Sequence, residues 1–190
     1  MTIETPWGYS VETLPPMLHI EQFRAIYPDF SADDEAVEGA LDATSCAIRD
    51  YCGWHVSPQL ECTFTGEGDG RLLILPAMGV TSVDSLSVNG ESVECEWKSC
   101  GLVRLKRGYF PDSWRSVVCE YTAGFDAVSV SQVVAQIAAN AIAAAPGVAN
   151  ERAGNVSITY NQTGQGITGG VSLLPRDYAL LAPYKLARAW

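Results

Sequence analysis

The segment Ser31 to Trp54, SADDEAVEGALDATSCAIRDYCGW, limits this chain more than any other. Val37, Leu41, Thr44, Ile48 and Tyr51 recur at steps of four, three, four and three, which lines one face of a helix with mostly apolar groups. Ser31 is placed to cap that helix through its hydroxyl oxygen. Asp33, Asp34 and Glu35 then set negative charge at the positive end of the helix dipole. Gly53 follows the last periodic position, where a residue with positive φ commonly ends a helix. The opposite face carries Glu38, Asp42, Arg49 and Asp50. A helix built this way is acidic outside and needs a partner over its stripe.

That partner is expected in Ser129 to Ala145, where Val133, Val134, Ile137, Ala141 and Ile142 form a second stripe and Pro146-Gly147 closes the helix. The alanines permit close helix–helix contact. Between the two helices the period changes to 2, as Leu60, Cys62 and Phe64 alternate with Glu61 and Thr63. GEGDG at 66–70 reads as a turn, followed by a strand over Arg71 to Leu75 that Pro76 stops. Val83 to Val88 runs into Asn89-Gly90, a two-residue hairpin signal. Val93 to Trp97, Gly101 to Leu105 and Val117 to Thr122 complete about six strands.

The expected fold class is therefore α+β. A helical bundle, made of the long helix 31–52, the Ala-rich helix 129–145 and a C-terminal helix, carries an inserted small antiparallel β barrel or sandwich. Residues 1–19, with Pro6, Pro15 and Pro16, read as an extended arm denied a regular ladder. A short helix, Ile20 to Ile26, ends before Pro28. Residues 20–55 and 123–160 make the helical domain and 56–122 the β domain. Residues 161–190 make a flexible Gly-rich link, NQTGQGITGG, and a C-terminal arm. Its helix begins at Pro175 and is kinked or split by Pro183.

The net charge of −10 argues against a sequence-reading nucleic-acid protein. The charge is uneven: residues 1–50 hold ten acids against two bases, 51–122 nine against six, and 123–190 three against four. An acidic front and a faintly basic tail suit copies that meet head to tail. The opening MTIETPWGYS lacks the basic and apolar regions of a secretory signal, and Val133 to Ala145 is too short to span a bilayer. The reading is a protein soluble and intracellular during synthesis, with no membrane partner.

Catalysis finds little support. His19 and His55 sit in no pattern with a nucleophile, and GxSxG, Walker A and HExxH are all absent from the sequence. The six cysteines, 46, 52, 62, 95, 100 and 119, form no CxxC pair, so no metal or cofactor is expected. They read as buried reduced thiols, with a Cys95–Cys100 disulfide left open by spacing. Two other features point to interaction. Arg104, Lys106, Arg107 and Arg115 interleave with Tyr109, Phe110 and Trp114, a set able to grip an acidic protein surface or a nucleic-acid backbone. The C-terminal run joins Leu173, Leu174, Tyr178, Leu181, Tyr184 and Trp190 to Arg176, Lys185 and Arg188.

The order FRAIYPDFSADDEAVEGALDATSCAIRDYCGW, then LLILP and VTSVDSLSVNG, then CEYTAGFD before an Ala-rich helix, resembles the head–tail connector (adaptor, head-completion) proteins of long-tailed bacteriophages. The YPDFS turn, the Tyr51-Cys52-Gly53-Trp54 exit and Tyr121-Thr122-Ala123-Gly124-Phe125 carry it, over roughly residues 20–145. The resemblance implies a non-enzymatic virion protein at the head–tail interface, assembled in the host cytoplasm as a twelve-fold ring beneath the portal. Such a ring extends the channel for viral double-stranded DNA and gives head-closure (stopper) or tail-completion proteins a platform. On this analogy the portal contact is the arm Leu173 to Trp190, and Glu38 and Asp42 line the channel. A second reading is a glycan- or protein-binding β module on a helical scaffold, with Trp97, Tyr109 and Trp114 as its platform. A hydrolase using His55 has the least support.

Overall fold

The structure, a computed structural model, describes residues 2–143, 171 and 173–186, together with the backbone of four strands between 150 and 168. The chain is mixed α and β and divides into two compact units. One comprises residues 1–15, 52–126 and 184–190, and the other residues 16–51 and 127–183.

The first unit is built on a six-stranded antiparallel sheet in the order β1 (Ile3–Glu4), β2 (Tyr9–Val11), β3 (Leu60–Gly66), β9 (Val117–Ala123), β5 (Ser82–Val88), β6 (Glu91–Ser92). A three-stranded sheet has the order β4 (Leu72–Ile74), β8 (Leu102–Leu105), β7 (Cys95–Trp97). Both sheets are open, so the barrel expectation is corrected: each ends in short edge strands instead of closing. Period 2 is visible in the burial. Val117, Cys119, Tyr121 and Ala123 of β9 are buried while Glu120 is exposed, and Leu73 is buried between exposed Leu72 and Ile74. Asn89 and Gly90 take φ values of 51° and 84°, the two positive values that a tight β5–β6 hairpin requires.

The N-terminal segment corrects a second expectation. Tyr9, Ser10 and Val11 pair in register with Phe64, Thr63 and Cys62 of β3. The prolines at 6, 15 and 16 fall outside the paired residues, so they frame the ladder without interrupting it.

The second unit holds α1 (Ile20–Ile26), most of α2 (Asp34–Cys52), α3 (Ala127–Ala143) and α4 (Pro175–Leu181). On α2 the stripe Val37, Leu41, Thr44 and Ile48 is buried, while Glu38, Asp42 and Asp50 are exposed. Arg49, assigned by pattern to the outer face, is buried at 4% exposure. Ser31 is not the cap: Asp33 Oδ1 accepts the Ala36 N–H at 2.7 Å, because the helix starts at Asp34. The approach to it is fixed by Arg24, which donates to the carbonyls of Phe30 and Ala32 and to Asp34 Oδ1, each at 2.7 Å. Phe23, Tyr27 and Phe30 pack ring against ring over the same turn.

The buried face of α3 is Val130, Val134, Ala135, Ile137 and Ala138, rotated from the expected stripe so that Val133, Ala141 and Ile142 are half-buried. Its close backbone neighbours are α1 and α4. The expected Gly-rich link contains a hairpin, β12 (Gln162–Gly164) with β13 (Ile167–Thr168), preceded by another, β10 (Asn150–Ala153) with β11 (Val156–Thr159). Pro175 opens α4 where its missing N–H costs nothing, and at Pro183 the helix gives way to a 3-10 turn, Ala182–Tyr184.

Candidate interaction surfaces

His55 is a fastener of the β unit. It is fully buried, its Nδ1 lies 2.7 Å from the Tyr9 hydroxyl, and its Nε2 lies 2.9 Å from the Ala123 carbonyl. A carbonyl only accepts, so Nε2 carries the proton and Nδ1 accepts from Tyr9. The Tyr9 oxygen in turn accepts the His55 backbone N–H at 3.1 Å. Both ring nitrogens are engaged in this way, which leaves neither aimed at solvent for catalysis. Next to it Val56 adopts a φ of 64° in a tight turn closed by Ser57 N–H to the His55 carbonyl. Nothing in the local sequence announces that turn, since a β-branched residue disfavours it.

Burial pushes the Cys52, Cys62 and Cys119 thiols up to about 12. All six cysteines are free, so Cys95 and Cys100 are not bridged. Among the described residues no three His, Cys, Asp or Glu side chains group to hold a metal ion, and no helix is long and apolar enough to cross a membrane.

The basic–aromatic segment splits in two. Phe110 is buried: its N–H donates to the Gly70 carbonyl at 2.7 Å, and its ring fills the space where Gly68 lacks a side chain. That anchor leaves Tyr109 75% and Trp114 88% exposed, with Arg107 and Arg115 exposed beside them. Lys106 pairs with Glu94 at 3.5 Å. Arg104 belongs elsewhere, to a groove of about 540 Å³ on the small sheet that Trp97 also lines. Trp114 borders a different groove, so Trp97 and Trp114 do not share one platform.

In the C-terminal arm, Leu181 is fully buried, Leu173 and Leu174 are half-buried, and Arg176, Tyr178 and Lys185 are exposed. The Tyr178 ring packs on Tyr51 at 4.8 Å between centroids. Further on, the Tyr184 carbonyl accepts the Trp54 Nε1–H at 2.6 Å, and the Leu186 N–H donates to the Cys52 carbonyl at 3.0 Å. Arg188 and Trp190 lie outside the described residues. Leu180, exposed at 49%, was missed because the sequence pattern weighed only the other helix face. Glu38 and Asp42 are exposed one turn apart on α2.

No protein-family model and no curated protein matches the sequence. Solved structures do share its fold. A chain in the neck of an empty gene transfer agent particle, computed with C6 symmetry, superposes with a TM-score of 0.60 at 20% identity, covering 96% of this chain and 97% of that one. A chain in the neck of the native particle, computed with C12 symmetry, gives 0.56 at 18% identity over 100% and 97%. A chain in the virion of the native gene transfer agent particle gives 0.56 at 20% identity over 96% and 97%. At such identities the likeness is one of fold. It extends past residues 20–145 to both ends of the chain.

Proposed function

We propose that this chain is a structural virion protein of the neck: a head–tail connector that forms a ring under the portal. The ring extends the DNA channel and provides the platform for head-closure and tail proteins, with no catalytic step of its own. The observation that carries this reading is the fold shared over 96% of this chain and 97% of a neck chain. Twelve copies is the number we favour, supported by a neck computed with C12 symmetry. A ring also suits a chain whose surfaces differ in charge, since rings are built from unlike surfaces that meet.

Within this reading, the portal contact is assigned to the C-terminal arm: Leu173, Leu174, Arg176, Tyr178, Leu181, Tyr184, Lys185, Arg188 and Trp190. Leu181 serves it from inside, as the buried anchor that fixes the exposed Arg176, Tyr178 and Lys185. The loop Arg104 to Arg115 meets a neighbouring subunit or partner. Glu38 and Asp42 face the channel, where like charge keeps DNA from adhering.

Native mass measurement and negative-stain imaging of the full chain, alone and mixed with the portal, test the assignment. A ring in either sample is the expected result, its symmetry giving the copy number. A monomer that ignores the portal would overturn the connector reading. Deleting the arm would also remove the buried Leu181, so its role is better tested by Arg176→Glu with Lys185→Glu. Loss of portal binding is expected, with a modest fall in melting temperature because Arg176 also pairs with the buried Asp177 at 3.5 Å. Lys185→Glu alone, which leaves that pair intact, is the companion variant.

A further inference from the structure

The outer faces of the two sheets of the β unit differ in chemistry. On the small sheet, Ile74 is 67% and Leu72 42% exposed, and register sets Leu72 level with Arg104 and Glu96, and Ile74 level with Leu102, on the face opposite the buried Leu73 and Val103. A groove bordered by Arg71, Lys98 and Arg104 together with Asp69 and Glu96 runs beside Leu72. Exposed aliphatic side chains beside cations suit a docking face. On the large sheet, a groove of about 460 Å³ is bordered by Glu12, Glu61, Asp84 and Glu120, with no cation among its lining residues. Register places Glu61 opposite Thr122 and Thr63 opposite Glu120, so carboxylates and threonines share that face. Each sheet buries its other face, through Leu73 and Val103 in the small sheet and Cys119 and Tyr121 in the large one.

We infer that the outer face of the small sheet in one copy docks on the acidic outer face of the large sheet in the next copy. This rests on the ring reading and names the surfaces that make the ring. A contact between two different faces leaves one of each free at every step, so it propagates and can close by rotation. Lys98 and Arg104 meet Glu61 and Glu120, giving the charge complementarity that fixes register and partner. The methyl groups of Thr63, Thr65 and Thr122 offer Leu72 and Ile74 apolar cover that the bare acidic side chains do not.

The test compares ring formation by native mass measurement, with and without the portal, in four full-length chains. Lys98→Glu with Arg104→Glu reverses one face, and Glu61→Lys with Glu120→Lys reverses the other. Each should lower the ring fraction by roughly tenfold or more at equal concentration, and joining all four substitutions in one chain should restore it. Ile74→Asp, at an exposed edge position, should also break the ring and guards against a misfolded charge variant. Melting temperatures near the parent's confirm that each chain folds. If the parent forms rings and the reversed chains do so equally well, the contact is wrong while the ring reading stands. The contact is also wrong if the joined chain fails to recover, or if reversal spares the ring and abolishes tail-protein binding. A parent that never forms a ring removes both.

Discussion

The β unit and the helical unit hold distant stretches of chain by different means. The β unit gathers three separate segments, and its side-chain bonds reach far: Tyr9 to His55 across 46 residues, His55 to Ala123 across 68, Trp54 to Tyr184 across 130. In the helical unit the corresponding bonds at the α1–α2 turn are short-range, with Arg24 reaching 6, 8 and 10 residues along and Asp33 only 3. Short strands carry little apolar periodicity each, so buried polar bonds between segments select the pairing. A long amphipathic helix carries its period within itself, so packing over its stripe does most of the selecting. One buried bond also reaches it, from the Met17 N–H to Ser45 Oγ on α2 at 3.0 Å.

If that contrast is right, the largest loss comes from Trp54→Ala. Trp54 is fully buried, bonds the Tyr184 carbonyl, and packs against His55 and Phe125 at 5.1 and 5.7 Å. A cost of about 3–5 kcal/mol in urea unfolding is expected. A cost under about 1 kcal/mol would mean that the far-reaching bonds do not fasten the unit.

Alkaline pH should strain the β unit selectively. The thiols of Cys52, Cys62 and Cys119 are raised from 9.0 to about 12, burial also raises the Tyr121 hydroxyl, and all four groups belong to that unit. Below 9 the groups are neutral in both states and their contribution is complete. Above it the unfolded chain loses protons that the folded chain keeps, so stability falls as pH rises from 9 towards 12. Hydrogen exchange resolved by segment should show β3 and β9 losing protection before α1. Simultaneous loss everywhere would show that the units unfold as one.

Tyr9→Phe comes next. It removes the hydroxyl that donates to His55 Nδ1 and accepts the His55 N–H, while keeping the ring against Tyr121. Leaving those buried groups without the hydroxyl should cost about 1–3 kcal/mol. Tyr121→Phe, whose hydroxyl meets no stronger partner than the Cys62 thiol, is the control expected to cost less.

How much of this was legible in the sequence follows the same division. Ile20–Ile26 was read to the residue, and the strands of residues 60–123 fell close to their observed limits, because period, Pro28, Pro76 and Asn89-Gly90 act locally. Partners far along the chain were not legible. Nothing near Tyr9 says that its hydroxyl meets a histidine 46 residues later, and nothing near Phe110 says that Gly68 leaves room for it. The basic–aromatic segment was visible as composition, yet only the fold shows Arg104 on the small sheet with Trp97 and Trp114 beside another groove. Arg49 was placed outside by pattern because a helical wheel registers only one neighbour.

The helical unit offers the smaller effects. Asp33→Ala removes the side-chain acceptor for the Ala36 N–H and should cost about 1 kcal/mol, whereas Ser31→Ala should cost almost nothing.

Smaller still is the ion pair at the α1–α2 turn. Arg24 and Asp34 are 2.7 Å apart, but the Asp34 side chain is 76% exposed, so water screens the pair and Asp34→Ala should cost no more than about 0.5 kcal/mol. Arg24→Ala should cost more, about 1–2 kcal/mol, since the guanidinium also holds the carbonyls of Phe30 and Ala32. A double-mutant cycle separates the two contributions. A coupling energy near zero, with most of the Arg24 loss surviving in the Asp34→Ala background, identifies Arg24 as a clamp on backbone. A coupling above about 1 kcal/mol would show that the ion pair itself sets the turn. It would also weaken the distinction drawn between a β unit fastened by polar bonds across distant segments and an α1–α2 turn held by near neighbours.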